Sequence, residues 1–305
     1  MMWGYLIHLS YNMWHDRKTS PPRPNWLTAQ PYLRFDDGLW SELIAAMRDA
    51  GVTTVVIDLG DAVRYESHAE IAVRDAWAVD RLRRELNRLR DAGLEPIPKM
   101  NFSASLDVWL GPYARQVSTD LYYRVCSDLI GEAIDLFDRP RLFHLGMDEE
   151  TADYQRLCEY VVVRQYDLWW HDFLFLADQV QGRGVRPWIW SDYVWRHSDE
   201  FFERMPKNVL QSNWWYDERL DPEVPEVRAY IELAERGYEQ VPTGSNYKSP
   251  ANFEATIAFA REHLPAERVL GFLQTVWKPT LPECRADHMA ALDQIRRARS
   301  TWEKG

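Results

Sequence analysis

The chain has 305 residues, 46% of them hydrophobic, and a formal net charge of -11. That acidic balance disfavours a nucleic-acid partner, because phosphate recognition needs a basic face. Three widely spaced cysteines, Cys126, Cys158 and Cys284, form no CxxC pair, which argues against a disulfide framework or a cysteine zinc site and favours a reducing, cytoplasmic setting.

Residues 1–14 carry no basic n-region and no small-residue cleavage site, so they are read as a first strand rather than a signal peptide. No window approaches about 18 uncharged apolar residues, and no membrane span is expected. After the first apolar run at 3–10 comes a Pro-rich loop at 21–31, long enough for a lid or insertion. Residues 37–50 have helical apolar spacing (Leu39, Leu43, Ile44, Met47) and stop at Gly51. A β-branched run at 52–59 is the second strand. The charged amphipathic helix 76–92 closes at Gly93, and the third strand follows at 94–102. The helix 119–137 leads into a fourth strand at 142–145. A long helix is expected over 154–181, with Trp169, Trp170 and Phe173 in the core. Strands near 185–190, 208–215, 239–247 and 269–277 then alternate with helices over 201–205, 225–236, 252–263 and 286–301.

Strands that alternate with helices imply parallel pairing. Eight such units predict one (β/α)8 TIM barrel, a single α/β catalytic domain over 1–305. A doubly wound open sheet is the alternative, but no GxGxxG follows the first strand. In a barrel of this kind the chemistry collects at the C-terminal ends of the strands. Those ends carry His8, Asp58, Asn101, His144 with Asp148 and Glu149, Trp190 with Asp192, Gln211 with Trp214 and Trp215, Tyr247, and Trp277. The chain has 15 Trp and 15 Tyr. Most of them belong to the core, yet aromatic faces near strand ends also stack on sugar rings. Carboxylates between aromatic walls suit a glycosidase, which stabilises an oxocarbenium-like transition state.

The segment His-Leu-Gly-Met-Asp-Glu at 144–149 resembles the H-x-G-x-D-E signature of family-20 glycoside hydrolases, the β-N-acetylhexosaminidases. Gly-Leu-Glu-Pro-Ile-Pro at 93–98 is similar to that family's strand-3 motif, and Trp190-Ser-Asp192 to its strand-5 motif. Gln211 with Trp214, Ser245-Asn246-Tyr247, and Gln274 with Trp277 resemble its strand-6, strand-7 and strand-8 patterns. The resemblance implies a retaining, exo-acting, substrate-assisted hydrolase without a cofactor, acting on the terminal sugar of a carbohydrate. Glu149 is then the general acid/base, Asp148 orients a 2-acetamido group, and Tyr247 donates to its carbonyl. His144, Trp190, Asp192, Trp214, Trp215, Trp277, Asp58, Asn101 and Gln211 are expected to bind substrate, His144 more as a buttress.

The chain also departs from that pattern. Met147 replaces a small residue, and a third acid, Glu150, follows the pair. Lys99 stands where the family has a carboxylate. The strand-1 arginine is missing, and no N-terminal accessory domain is expected before the first strand. These departures keep open an ordinary two-carboxylate mechanism on a non-acetamido sugar, with Asp58 or Asp192 as the second acid. A metal-dependent barrel built on His8, Asp58, His144 and Glu149 is the other rival, although no HxH or HExxH occurs. Nothing in the sequence sets an oligomeric state.

Overall fold

The computed structural model describes residues 1–17 and 25–303. The Pro-rich loop expected at 21–31 therefore lies partly outside the described residues. Among the described residues, eight parallel strands form one sheet: β1 (Met2–His8), β2 (Thr54–Asp58), β3 (Glu95–Lys99), β4 (Leu142–His144), β5 (Arg186–Trp190), β6 (Leu210–Ser212), β7 (Thr243–Ser245) and β8 (Gly271–Thr275). The strands pair in sequence order from β1 to β6, and β8 pairs with both β1 and β7. Bridges Gln211 to Gln240 and Trp214 to Thr243 join β6 to β7 and close the barrel. Among the described residues, eight α-helices alternate with the strands: α1 (Asp37–Ala50), α2 (Val79–Asp91), α3 (Asp120–Leu136), α4 (Tyr166–Gln181), α5 (Ser198–Arg204), α6 (Pro225–Glu235), α7 (Asn252–His263) and α8 (Arg285–Glu303). The (β/α)8 expectation is met.

Local chemistry sets the helix ends. The Asp36 carboxylate accepts from the Leu39 amide at 2.7 Å and caps α1. Gly51 ends it in the left-handed region at φ 78°. Thr119 caps α3 the same way, at 3.2 Å from the Tyr122 amide. Each helix turns its apolar stripe onto the barrel, as α1 does with Leu39, Leu43 and Met47.

One helix differs from the sequence expectation. α4 starts at Tyr166, and residues 151–165 run as irregular chain. Arg164 is turned inward and buried. Its guanidinium reaches Glu150 at 2.7 Å, Asp172 at 3.0 Å and the Phe102 carbonyl at 2.7 Å. Gln155 bridges the loop by donating to the Val162 carbonyl at 2.6 Å and accepting from its amide at 2.7 Å. These bonds replace the helical ladder, and a buried guanidinium this well paired anchors the loop. Glu150 is thereby a structural ligand of Arg164. No helix among the described residues is long and apolar enough to cross a membrane.

Candidate active site

Strand register builds the site's floor. His8 pairs with Asp58, Asp58 with Lys99, Lys99 with His144, and His144 with Trp188. Two residues earlier, Leu6, Val56, Ile97 and Leu142 belong to the apolar cluster inside the barrel. Side chains alternate faces along a strand, so the later set also points inward, one layer nearer the C-terminal mouth. A polar layer thus sits on an apolar plug.

Lys99 is fully buried and donates to Asp58 Oδ2 at 2.7 Å. His8 Nδ1 lies 3.2 Å from the same oxygen. Burial pushes the Asp58 carboxyl up, but the Lys99 ammonium and His8 outweigh it and hold the acid below its ordinary value. Asp58 was expected at the substrate or as a second catalytic acid. It is instead committed to this ion pair, because an unpaired buried charge is too costly to keep. Burial pushes His8 down, and the same burial together with Lys99 pushes His144 down further. Both imidazoles are neutral at physiological pH.

The segment after β4 turns sharply. Gly146, Met147 and Glu149 have φ of 74°, 76° and 52°. Two non-glycine residues in the left-handed region within three positions mark a backbone held by its surroundings. The holders are identifiable. Asn101 Oδ1 accepts from the Met147 amide at 3.3 Å, and Asn101 Nδ2 donates to Asp148 Oδ1 at 2.7 Å. Asp192 Oδ2 accepts from the Glu149 amide at 2.9 Å. The Gly146 amide donates to His144 Nδ1 at 3.0 Å. Asn101, expected to bind substrate, is thus spent on orienting Asp148.

A Cβ at Gly146 would meet the Asn101 side chain, and its Cα at 2.7 Å. Gly146→Ala is therefore expected to cost about 1–3 kcal/mol through the left-handed backbone and the clash. It should also release Asp148, so that activity falls more than stability. Paired melting and rate measurements check this; an alanine variant with wild-type values for both would contradict it.

Three carboxyls now lie close together with different proton affinities. Burial raises Asp148, while Lys99 and the Asn101 amide pull it back. Burial, then Asp148, then Asp192 push Glu149 up to about 8, with the Tyr154 hydroxyl bond opposing. Burial and Asp148 push Asp192 up to about 7. Neighbouring acids in a dry site ionise one after another. Among the described residues, no group of three or more His, Cys, Asp or Glu is placed to hold a metal ion.

Rings wall the mouth. Trp190 packs against His144 with ring centres 4.4 Å apart and planes tilted by 56°, and Trp277 lies 6.1 Å from Trp190 and 5.5 Å from His8. Trp214 stacks on Tyr216 at 5.0 Å, and Tyr216 lies 6.5 Å from Trp277. Trp190, Trp214 and Trp277 belong to the inner cluster.

Three expected positions are corrected. Gln211 sits between the inward Leu210 and Ser212, so alternation turns it to the helices, where its carbonyl accepts from the Ser191 hydroxyl at 3.0 Å. Trp215 alternates with the inward Trp214 and packs against the outer core, with Lys248 5.5 Å from its ring centre. Tyr247 is 63% exposed on the rim, while Tyr216 is 8% exposed, its hydroxyl pushed up by burial first and by the nearby Asp148 and Glu149 after it. The sequence reading passed over Tyr154, Tyr216 and the joint role of His8 and Lys99. Strand parity was the available signal for the last two, since each lies two residues after an inward aliphatic.

No protein-family model and no curated protein matches the chain. Solved structures do. A GH20 exo-β-N-acetylglucosaminidase from Vibrio harveyi, in complex with N-acetylglucosamine, superposes over 99% of this chain and 57% of that one, at TM-score 0.62 and 13% identity. A chitobiase from Flavobacterium johnsoniae covers 99% of this chain and 50% of its own, at TM-score 0.66 and 14% identity. A GH20 β-N-acetylhexosaminidase from Streptomyces coelicolor A3(2) gives TM-score 0.64 and 13% identity over 95% of this chain and 63% of that one. The chain therefore shares the barrel fold of these enzymes and spans about half to two thirds of their length.

Proposed function

We propose that this barrel is a retaining, exo-acting glycoside hydrolase of the β-N-acetylhexosaminidase kind, working by substrate assistance. The observation that carries the reading is the Asp148–Glu149 pair at the mouth, its two acids differing in proton affinity and ringed by indoles. Glu149 keeps its proton at neutral pH and can give it to the leaving oxygen. Asp148, held by Asn101 and relieved by the Lys99 charge, ionises first and can orient and polarise the acetamido group whose carbonyl attacks the anomeric carbon. The inward rings of Trp190, Trp214 and Trp277 box one terminal sugar. The fold shared with GH20 enzymes supports the same assignment by analogy.

A panel of aryl glycosides tests it: N-acetylglucosaminide and N-acetylgalactosaminide beside plain hexosides, with a thiazoline inhibitor as control. Turnover of N-acetylhexosaminides with thiazoline inhibition is expected. Turnover of plain hexosides alone would favour the two-carboxylate route, for which Asp192, with its Oδ1 buried and unpaired, is the available second acid.

The pH profile should follow from the ordering. The rate constant kcat/KM is expected to be bell-shaped, rising as Asp148 ionises and falling about tenfold per pH unit once Glu149 loses its proton near pH 8. Stability follows a related course. Glu149 and Asp192 bind protons in the folded state that the unfolded chain has released, so their contribution declines as pH rises through about 7 and 8. His8 and His144, neutral when folded, oppose this only below the imidazole range near pH 6.5. The melting temperature should therefore fall between pH 6.5 and 8.5; a flat or rising curve there would contradict the ordering.

A further inference from the structure

Across the mouth from Glu149, the ends of β1 and β8 hold polar atoms that the assignment above leaves idle. His8 is 1% exposed, and its Nε2 is buried with no hydrogen-bond partner. Trp277 Nε1 is likewise buried and makes no well-aligned hydrogen bond, the Tyr216 hydroxyl being its polar neighbour, and the two rings sit 5.5 Å apart. An unpaired buried polar atom costs about 1–3 kcal/mol, so two side by side at a strand-end mouth need an account.

The proton positions can be assigned from the network. His8 Nδ1 lies 3.2 Å from the Asp58 carboxylate without a well-aligned hydrogen bond, and that negative charge favours the ring proton on Nδ1, with a lone pair on Nε2. Lys99 on the same carboxylate oxygen keeps Asp58 ionised, and so preserves the charge that favours this tautomer. Trp277 Nε1 can only donate. One neighbour is therefore an acceptor and the other a donor. Trp277 has φ 52°, a strained conformation that its surroundings maintain.

We propose that His8 Nε2 and Trp277 Nε1 together read one hydroxyl of the terminal sugar. The hydroxyl donates to His8 and accepts from Trp277, satisfying both. A glycosidic oxygen at that position has no proton to donate, so a sugar substituted there is rejected. The pair thus makes the site exo-acting from the side opposite the scissile bond. This inference rests on the glycosidase reading but not on the 2-acetamido group.

The test uses whichever aryl glycoside the wild-type chain turns over, with analogues that each lack one ring hydroxyl. One analogue should lose about 100-fold in kcat/KM, because the pair is left unpaired. In His8→Phe, and separately in Trp277→Phe, that loss should shrink below about tenfold, the signature of coupling in a double-mutant cycle. Each variant keeps a ring in place, and either alone decides the matter if the other does not fold. Wild-type turnover with undiminished discrimination in the folded variants overturns this inference alone. An inactive wild type across the whole panel overturns the glycosidase reading and this inference with it.

Discussion

Glu149→Gln should slow hydrolysis of substrates with poor leaving groups, such as sugars or alkyl alcohols, by about 10²–10⁴-fold. Glutamine is nearly isosteric, and the amide that donates to Asp192 at 2.9 Å belongs to the backbone, so the turn survives. Only the transferable proton is lost. Leaving groups that need no proton, such as dinitrophenolate, should be far less affected. Asp148→Asn should behave differently, slowing good and poor leaving groups alike, because it acts on the attacking group rather than the departing one. The basic limb of the pH profile near 8 should vanish in Glu149→Gln and persist in Asp148→Asn. Equal losses for all leaving groups in Glu149→Gln would mean that Glu149 is not the acid.

Lys99→Met should be the most destabilising single change in the floor of the site, at about 3–5 kcal/mol near neutral pH. Lys99 is fully buried, and its ammonium is the cation that offsets the burial of Asp58. Without it the Asp58 carboxyl loses its cationic partner, only the His8 imidazole opposes burial, and the carboxyl moves up. The sign is definite: an acid whose folded pKa has moved above its unfolded value loses stability as pH rises. The variant should melt progressively lower from about pH 5 to 8 relative to wild type. A second change, Asp58→Asn, should restore much of the loss, since removing both charges is far cheaper than stranding one. Denaturant melts of the single and double variants measure this. A single variant as stable as wild type would show that the pair is not the buried anchor described.

Together the two variants separate the site's chemistry from its foundation. Glu149 sits above the polar layer and touches the reacting atoms in the proposed mechanism. Lys99 lies within that layer and acts through Asp58, His8 and the charge it sends to Asp148.

The amino-acid sequence alone determined the alternation of eight strands and eight helices, and which residues close each strand. Those features are local. A β-branched run, an apolar stripe at helical spacing and a glycine in the left-handed region act within a few residues of one another. It also determined that Asp148 and Glu149 follow a short buried strand. What only the tertiary structure decided was orientation and partnership. Trp214 faces the mouth and Trp215 the helices because closing the barrel fixes one parity, and a one-residue slip would exchange them. Asp58 ceased to be a catalytic candidate because strand register brought Lys99, 41 residues away, to within 2.7 Å of it. Residues 151–165 gave up helical form because Arg164 found Glu150, Asp172 and the Phe102 carbonyl in a buried place. Tyr216 lies near the carboxyls while Tyr247 stands at the rim, a difference that loop packing makes and spacing along the chain does not encode.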